Sequence, residues 1–104
     1  MSEIACTLSD EARRDRAREL RAGLFREIAS RRATDDGIEV RFPKTDALMR
    51  RLADYIAFES GCCGFLRFDL IVESRSELVT LRLSGPGGTR GFVEGWFEVP
   101  EIGA

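Results

Sequence analysis

The chain has 104 residues, of which 43% are hydrophobic and 33% are charged, and its formal net charge is −2 at pH 7. This balance is typical of one folded domain over residues 1–104, and it excludes a disordered or membrane-embedded chain. The sequence contains no histidine, which excludes Cys–His catalysis and imidazole metal ligands. The sequence does not decide whether the protein is an enzyme, but a role without catalysis is favoured.

The cellular setting is predicted from the start of the chain and from its cysteines. Residues 1–4 have neither the positive segment nor the apolar segment of a secretory signal, which predicts a cytoplasmic protein. Thiols stay reduced in that compartment, and three cysteines, an odd number, do not suggest a disulfide framework. No apolar run approaches the roughly 20 residues that cross a bilayer, so no membrane partner is expected.

A first helix is predicted from about Ser9 to Ser30. Residues 4–8 precede it as a short apolar segment that could add an edge strand or lie against a sheet. Ser9 has the character of an N-cap, and the buried stripe of the helix consists of Ala17, Leu20, Leu24 and Ile28. The opposite face is rich in arginine: Arg13, Arg14, Arg16, Arg18, Arg21 and Arg26. Acidic residues alternate with them, so a solvated helix with intrahelical ion pairs is favoured over a nucleic-acid interface.

The middle of the chain predicts a strand and then a second helix. A polar break over residues 33–37 precedes an alternating strand from Ile38 to Phe42, which Pro43 ends. Thr45 opens the second helix, whose stripe is Leu48, Leu52, Tyr55 and Ile56. Gly61 is in a position that commonly ends a helix.

The last third predicts a hairpin and a short helix. Apolar residues alternate from Leu66 to Val72 and again from Val79 to Leu83, with a polar turn over residues 74–77. Thr89 is in a position to cap a last short helix. The predicted fold is therefore α+β: a three- or four-stranded, mostly antiparallel sheet with two main helices on one face and a short C-terminal helix.

The most distinctive chemistry is a pair of adjacent cysteines, Cys62 and Cys63, where a helical pattern changes to a strand pattern. Adjacent Cα atoms are about 3.8 Å apart, whereas an unstrained disulfide needs about 4.4–6.8 Å. The two thiols are better suited to sharing a soft metal ion such as Cu(I), Hg(II) or Zn(II). Glu59 extends the apolar stripe toward them and, with Cys6, is a lesser candidate ligand. No other cofactor is predicted.

The expected electrostatics oppose free thiolates at this junction. A helix C-terminus is the negative end of the helix dipole, and Glu59 adds an anion. Arg67 could offset part of this effect if its side chain folds back. The pair is therefore expected to be either compensated by a metal or simply buried as packing residues, because cysteine is among the most buried residue types.

The run from Glu59 to Leu70, E-x-x-C-C-x-F-L-x-F-x-L, is followed by a second run from Leu81 to Thr89, L-x-L-x-G-P-x-G-T. Together they resemble a family of small uncharacterised bacterial proteins, and similar segments are appended to regulators of the mercury-resistance type. The resemblance implies a cytoplasmic bacterial protein and a role in metal sensing or binding. Gly64 departs from the family, which tends to have proline there.

The sequence favours two functions over a third, a thiol enzyme, for which the chain has no histidine base. The first is soft-metal binding through Cys62 and Cys63, in sensing or sequestration. The alternative is a protein-interaction or self-association module, in which the cysteines are core residues and an apolar patch forms from Phe92, Trp96 and Phe97.

Overall fold

The computed structural model describes residues 9–97 and forms an α+β domain of three α-helices and one four-stranded antiparallel sheet. In chain order the elements are α1 (Asp10–Ala22), a 3-10 turn (Leu24–Glu27), β1 (Ser30–Thr34), β2 (Gly37–Pro43), α2 (Asp46–Cys62), β3 (Arg67–Ile71), β4 (Leu78–Ser84) and α3 (Thr89–Phe97). The fold class predicted from the sequence is confirmed.

The sheet has the strand order β1-β2-β4-β3, and each neighbouring pair is antiparallel. Its central strands bury one face because apolar residues alternate along them: Ile38, Val40, Phe42, Val79, Leu81 and Leu83, each at most 2% exposed. The predicted hairpin of β3 and β4 is confirmed, with Phe68 opposite Leu83. Buried residues of all three helices join this sheet face in one hydrophobic core.

The first helix ends earlier than the sequence predicts. Ser9 caps it as expected, since its hydroxyl oxygen accepts a hydrogen bond from the Ala12 N–H at 3.1 Å. The helix then ends at Ala22 instead of continuing to Ser30, and Gly23 follows as its C-cap. Three pairs link neighbouring turns of α1, Arg13–Asp10, Arg16–Glu19 and Arg18–Asp15, as the solvated-helix interpretation predicts.

β1 is a strand that the sequence analysis did not predict. Its residues, Ser-Arg-Arg-Ala-Thr, are exposed or half-buried and show no apolar alternation. The strand forms because it pairs along its whole length with β2, from Ser30 opposite Arg41 to Thr34 opposite Gly37. Of the polar break predicted over residues 33–37, only residues 35 and 36 form the turn, and the others belong to β1 and β2.

The second helix begins as predicted and ends later. The hydroxyl oxygen of Thr45 accepts from the Leu48 N–H at 3.1 Å, which makes Thr45 the N-cap. Gly61 does not end the helix, because α2 continues to Cys62 and Cys63 is its C-cap. The Cys63 N–H donates to the carbonyl of Glu59 at 2.8 Å, so helical hydrogen bonding extends through the cysteine pair.

The third helix packs against the sheet and α1. Trp96 is 6% exposed, and its ring makes edge contacts with Tyr55 and Phe92. Trp96 therefore cannot belong to an exposed apolar patch, and the side chain of Phe97 lies outside the described structure. Thr89 is the first residue of α3, but its hydroxyl has no hydrogen-bond partner within residues 9–97, so it does not cap the helix through its side chain.

None of the helices within residues 9–97 is long and apolar enough to cross a membrane. The short apolar segment over residues 4–8, including Cys6, lies outside the described residues, as does the segment over residues 98–104.

Candidate metal centre

The last turn of α2 brings Glu59, Cys62 and Cys63 together. Residues three and four apart share one face of a helix, and this spacing relates Glu59 to the two cysteines. One carboxylate oxygen of Glu59 and the two sulfur atoms all lie within 4.8 Å of one another, and all three residues are buried. The predicted burial of Glu59 beside the thiols is confirmed, with Glu59 1% exposed.

Both cysteines are present as thiols that donate to Glu59. The Sγ atoms of Cys62 and Cys63 lie 3.8 and 4.0 Å from the same oxygen, Oε1 of Glu59. The Cys62 sulfur also lies 3.6 Å from the carbonyl oxygen of Phe58. Cys63 is fully buried and Cys62 is 8% exposed, so the approach from solvent is on the side of Cys62.

Arg16, on α1, supplies the positive charge that balances this carboxylate. Its Nε donates to Oε2 of Glu59 at 2.7 Å, so one oxygen of Glu59 binds the guanidinium and the other accepts from the thiols. The guanidinium also lies 4.5 Å from the centre of the Phe58 ring and pairs with Glu19 at 3.2 Å. Burial lowers the pKa of Arg16, but the hydrogen bonds and charges of Glu59 and Glu19 together outweigh it, and the net pKa is raised.

The sequence analysis did not single out Arg16 and considered Arg67 instead. Arg67 pairs with Asp69 at 3.2 Å, and its side chain is 76% exposed, so it does not fold back toward the cysteines. Arg16 gave no local signal because it is one of several arginines on the same helix, and its partner Glu59 is 43 positions away.

Tyr55, one turn before Glu59 on α2, borders the same cluster. It is 2% exposed, and its hydroxyl has no hydrogen-bond partner within residues 9–97. Burial raises the pKa of Tyr55 well above its ordinary value of 10.0, and the nearby charge of Glu59 raises it further. The hydroxyl of Tyr55 is therefore a buried donor with no partner within residues 9–97. An anionic ligand atom bound beside the two thiols and the carboxylate could accept a hydrogen bond from it.

The size of the Glu59–Cys62–Cys63 cluster fits one metal ion. Zinc–sulfur bonds are about 2.3 Å long, so two ligand atoms on one ion lie at most about 4.6 Å apart. The ligand atoms here are within 4.8 Å of one another, and shifts of a few tenths of an ångström would bring them onto one ion. A structural zinc site normally has four protein ligands, and this cluster offers three.

Cys6 lies outside the described residues, and its part in the centre stays a prediction. Comparison of the chain with models of protein families, with curated proteins and with solved structures gave no match. The resemblance to segments of mercury-resistance-type regulators therefore stands on the sequence motif alone.

Proposed function

We propose that the protein binds a soft, thiophilic metal ion through Cys62 and Cys63, with Glu59 as a candidate third ligand for an ion that needs more than two. The observation that carries this proposal is the convergence of two sulfur atoms and one carboxylate oxygen within 4.8 Å in the protein interior. Sulfur ligands favour soft ions, and two or three ligands satisfy ions of low coordination number such as Cu(I) and Hg(II). Zn(II) would need a further ligand, and Cys6, which the sequence predicts as a candidate, or water would have to supply it.

Metal binding would resolve the electrostatic conflict at the end of α2. The dipole of the helix and the charge of Glu59 both disfavour a thiolate, and the two thiols hydrogen-bond to Glu59 as donors. A bound cation replaces the two thiol protons and supplies the positive charge that two thiolates require. The predicted cytoplasmic setting would keep both thiols reduced and available, consistent with a role in sensing or sequestration.

Native mass spectrometry with Cu(I), Hg(II) and Zn(II) tests this proposal. We expect the wild-type chain to take up one ion, and the double variant Cys62→Ser/Cys63→Ser to lose that uptake. Cys6→Ser, measured in the same way, shows whether Cys6 contributes a ligand. Equal uptake by the wild type and the double variant would refute the proposal.

The alternative is that Cys62 and Cys63 are only core residues in a protein-interaction or self-association module. Both belong to the hydrophobic core, which is the observation that favours this view. The burial of Trp96 removes one member of the apolar patch that such a module was expected to present. The rate of thiol alkylation in native protein separates the two functions. If the cysteines form a metal centre, adding the ion should slow their alkylation. If they are only core residues, they should react at the same rate with and without the ion.

A further inference from the structure

We propose that Glu59 makes this centre favour divalent over monovalent thiophilic ions, an inference that rests on the metal-binding function proposed above. Its basis is the distribution of charge around the two sulfur atoms. Glu59 is paired with Arg16 through Oε2, at 2.7 Å, and its other oxygen, Oε1, lies 3.8 and 4.0 Å from the two sulfurs. With both cysteines protonated, the Arg16–Glu59 pair and the two thiols together carry no net charge.

The charge of the centre after binding depends on the valence of the ion. When a divalent ion binds both sulfurs, two S–H bonds break, two metal–sulfur bonds form and two protons leave to solvent. The two positive charges of the ion replace those of the two protons, and the net charge stays at zero. When a monovalent ion binds in the same way, two protons are again released, but only one positive charge is gained, so one negative charge remains.

The position of that extra negative charge is unfavourable. It lies on sulfur atoms about 4 Å from Oε1 of Glu59, in a region where Glu59 is 1% and Cys63 is 0% exposed. Like charges at this separation repel strongly when water is excluded. A monovalent ion that left one thiol protonated would keep the centre neutral, but it would give up one of its two thiolate bonds. Either way, Glu59 disfavours the monovalent ion.

Glu59→Gln tests the inference because it removes the charge and keeps the shape. Affinities are measured for Zn(II) in competition with a chromophoric chelator, and for Cu(I) under reductant in competition with a Cu(I) chelator. We expect the variant to bind Cu(I) at least about tenfold more tightly than the wild type, which corresponds to a change of about 1.4 kcal/mol in the binding free energy. Its Zn(II) affinity should not rise, because the charge of that complex is already balanced.

Glu19→Gln is the matched control. Glu19 is the other carboxylate paired with Arg16, but its side chain is 73% exposed, so solvent screens its charge. We expect both affinities to stay within about threefold of the wild type in this variant. If Glu59→Gln fails to fold, Glu59→Leu removes the same charge with an apolar side chain, and the expected gain in Cu(I) affinity is the same.

The outcomes separate this inference from the function on which it rests. An unchanged or weaker Cu(I) affinity in the folded Glu59 variant overturns the inference. If Zn(II) affinity falls while Cu(I) affinity stays the same, Glu59 is a ligand but does not select between divalent and monovalent ions, which also overturns the inference. If instead the wild type takes up none of Cu(I), Hg(II) and Zn(II) through Cys62 and Cys63, the proposed function itself fails.

Discussion

Arg16 on the first helix and Glu59 at the end of the second form an ion pair of 2.7 Å across 43 residues of sequence. The carboxylate is 1% exposed and the guanidinium side chain 22%. This contact joins α1 to the turn that bears both cysteines, and it gives the buried carboxylate the partner that its burial requires.

Replacing Arg16 by Met should destabilise the fold, because it leaves the carboxylate of Glu59 buried without its cation. Removing one partner of a fully buried ion pair costs about 3–5 kcal/mol. Since Arg16 is partly exposed, we expect a loss of about 1–3 kcal/mol in the free energy of unfolding, measured by urea denaturation without metal.

Arg18→Met is the control for this change. Arg18 pairs with Asp15 on the same helix, and both side chains are more than half exposed, so its loss should cost no more than about 1 kcal/mol. Adding Glu59→Gln to Arg16→Met should recover part of the stability. Equal losses for the two arginine variants would show that the Glu59 pair contributes nothing particular to the fold.

Tyr55→Phe should leave the metal-free protein as stable as the wild type, or raise its free energy of unfolding by up to about 1 kcal/mol. The variant removes a buried hydroxyl that has no partner within residues 9–97. It keeps the ring, which makes edge contacts with Phe25, Phe68 and Trp96. Chemical denaturation without metal provides the measurement.

Tyr55→Leu is the comparison for the ring itself. This variant loses both the hydroxyl and the aromatic contacts, so we expect it to be less stable than Tyr55→Phe by about 1–3 kcal/mol. A loss of more than 1 kcal/mol in Tyr55→Phe would mean that the hydroxyl does have a hydrogen-bond partner in the folded protein.

The sequence predicted those parts of the fold that local patterns determine. The apolar alternation along β2 and β4 and the N-caps at Ser9 and Thr45 follow from neighbouring residues, and the structure confirms them. The burial of Glu59 beside the cysteines was predicted from helical spacing alone. Each of these features depends on residues no more than a few positions apart.

The parts that the sequence did not predict depend on distant partners. β1 has no apolar alternation, and it becomes a strand because β2 offers it an edge to pair with. In the sequence, Arg16 looks like the other arginines of α1. It is distinguished only by its contact with Glu59, which forms when α1 packs beside the end of α2. Gly61 differs from these two cases: it was expected to end α2, but the helix continues to Cys62, and no atom of a distant part of the described chain would lie within 4 Å of a Cβ added there.

Two glycines should respond in opposite ways to substitution by alanine. At Gly37, in β2, an added Cβ would lie 1.7 Å from the carbonyl oxygen of Leu83, a backbone atom of β4 that cannot move without disturbing the sheet. We expect Gly37→Ala to lower the free energy of unfolding by at least about 3 kcal/mol.

At Gly91, in α3, an added Cβ would meet no atom within 4 Å from any other part of the chain that the structure describes, residues 9–97. Alanine is the better helix former, so Gly91→Ala should raise the stability by about 0.5–1 kcal/mol. Thermal and urea denaturation of the two variants measure whether the free energy of unfolding falls in Gly37→Ala and rises in Gly91→Ala. A mild effect of Gly37→Ala would contradict the close approach of β2 and β4 at that position.

Glu39 should make the stability of the fold depend on acid pH. It is a buried carboxylate on the sheet face opposite the core, between Arg82 at 2.9 Å and Arg32 at 2.8 Å. Hydrogen bonds from Arg82 and then from Arg32 lower the pKa of Glu39 below its ordinary value of 4.5. Because the pKa is lower in the folded than in the unfolded chain, this stabilisation is present above pH 4.5 and is lost as the pH falls through the folded value.

Glu39→Gln isolates this contribution. At pH 7 we expect the variant to be about 1 kcal/mol less stable than the wild type, because both arginines are substantially exposed and solvent weakens the pairs. The difference in the free energy of unfolding should shrink as the pH is lowered below 4.5, since Glu39 of the unfolded chain then takes up a proton more readily than Glu39 of the folded chain. Glu73→Gln, at an exposed position in the turn after β3, should show a much smaller difference from the wild type over the same range. A constant difference between Glu39→Gln and the wild type from pH 7 to 3 would contradict the assignment of this acid sensitivity to Glu39.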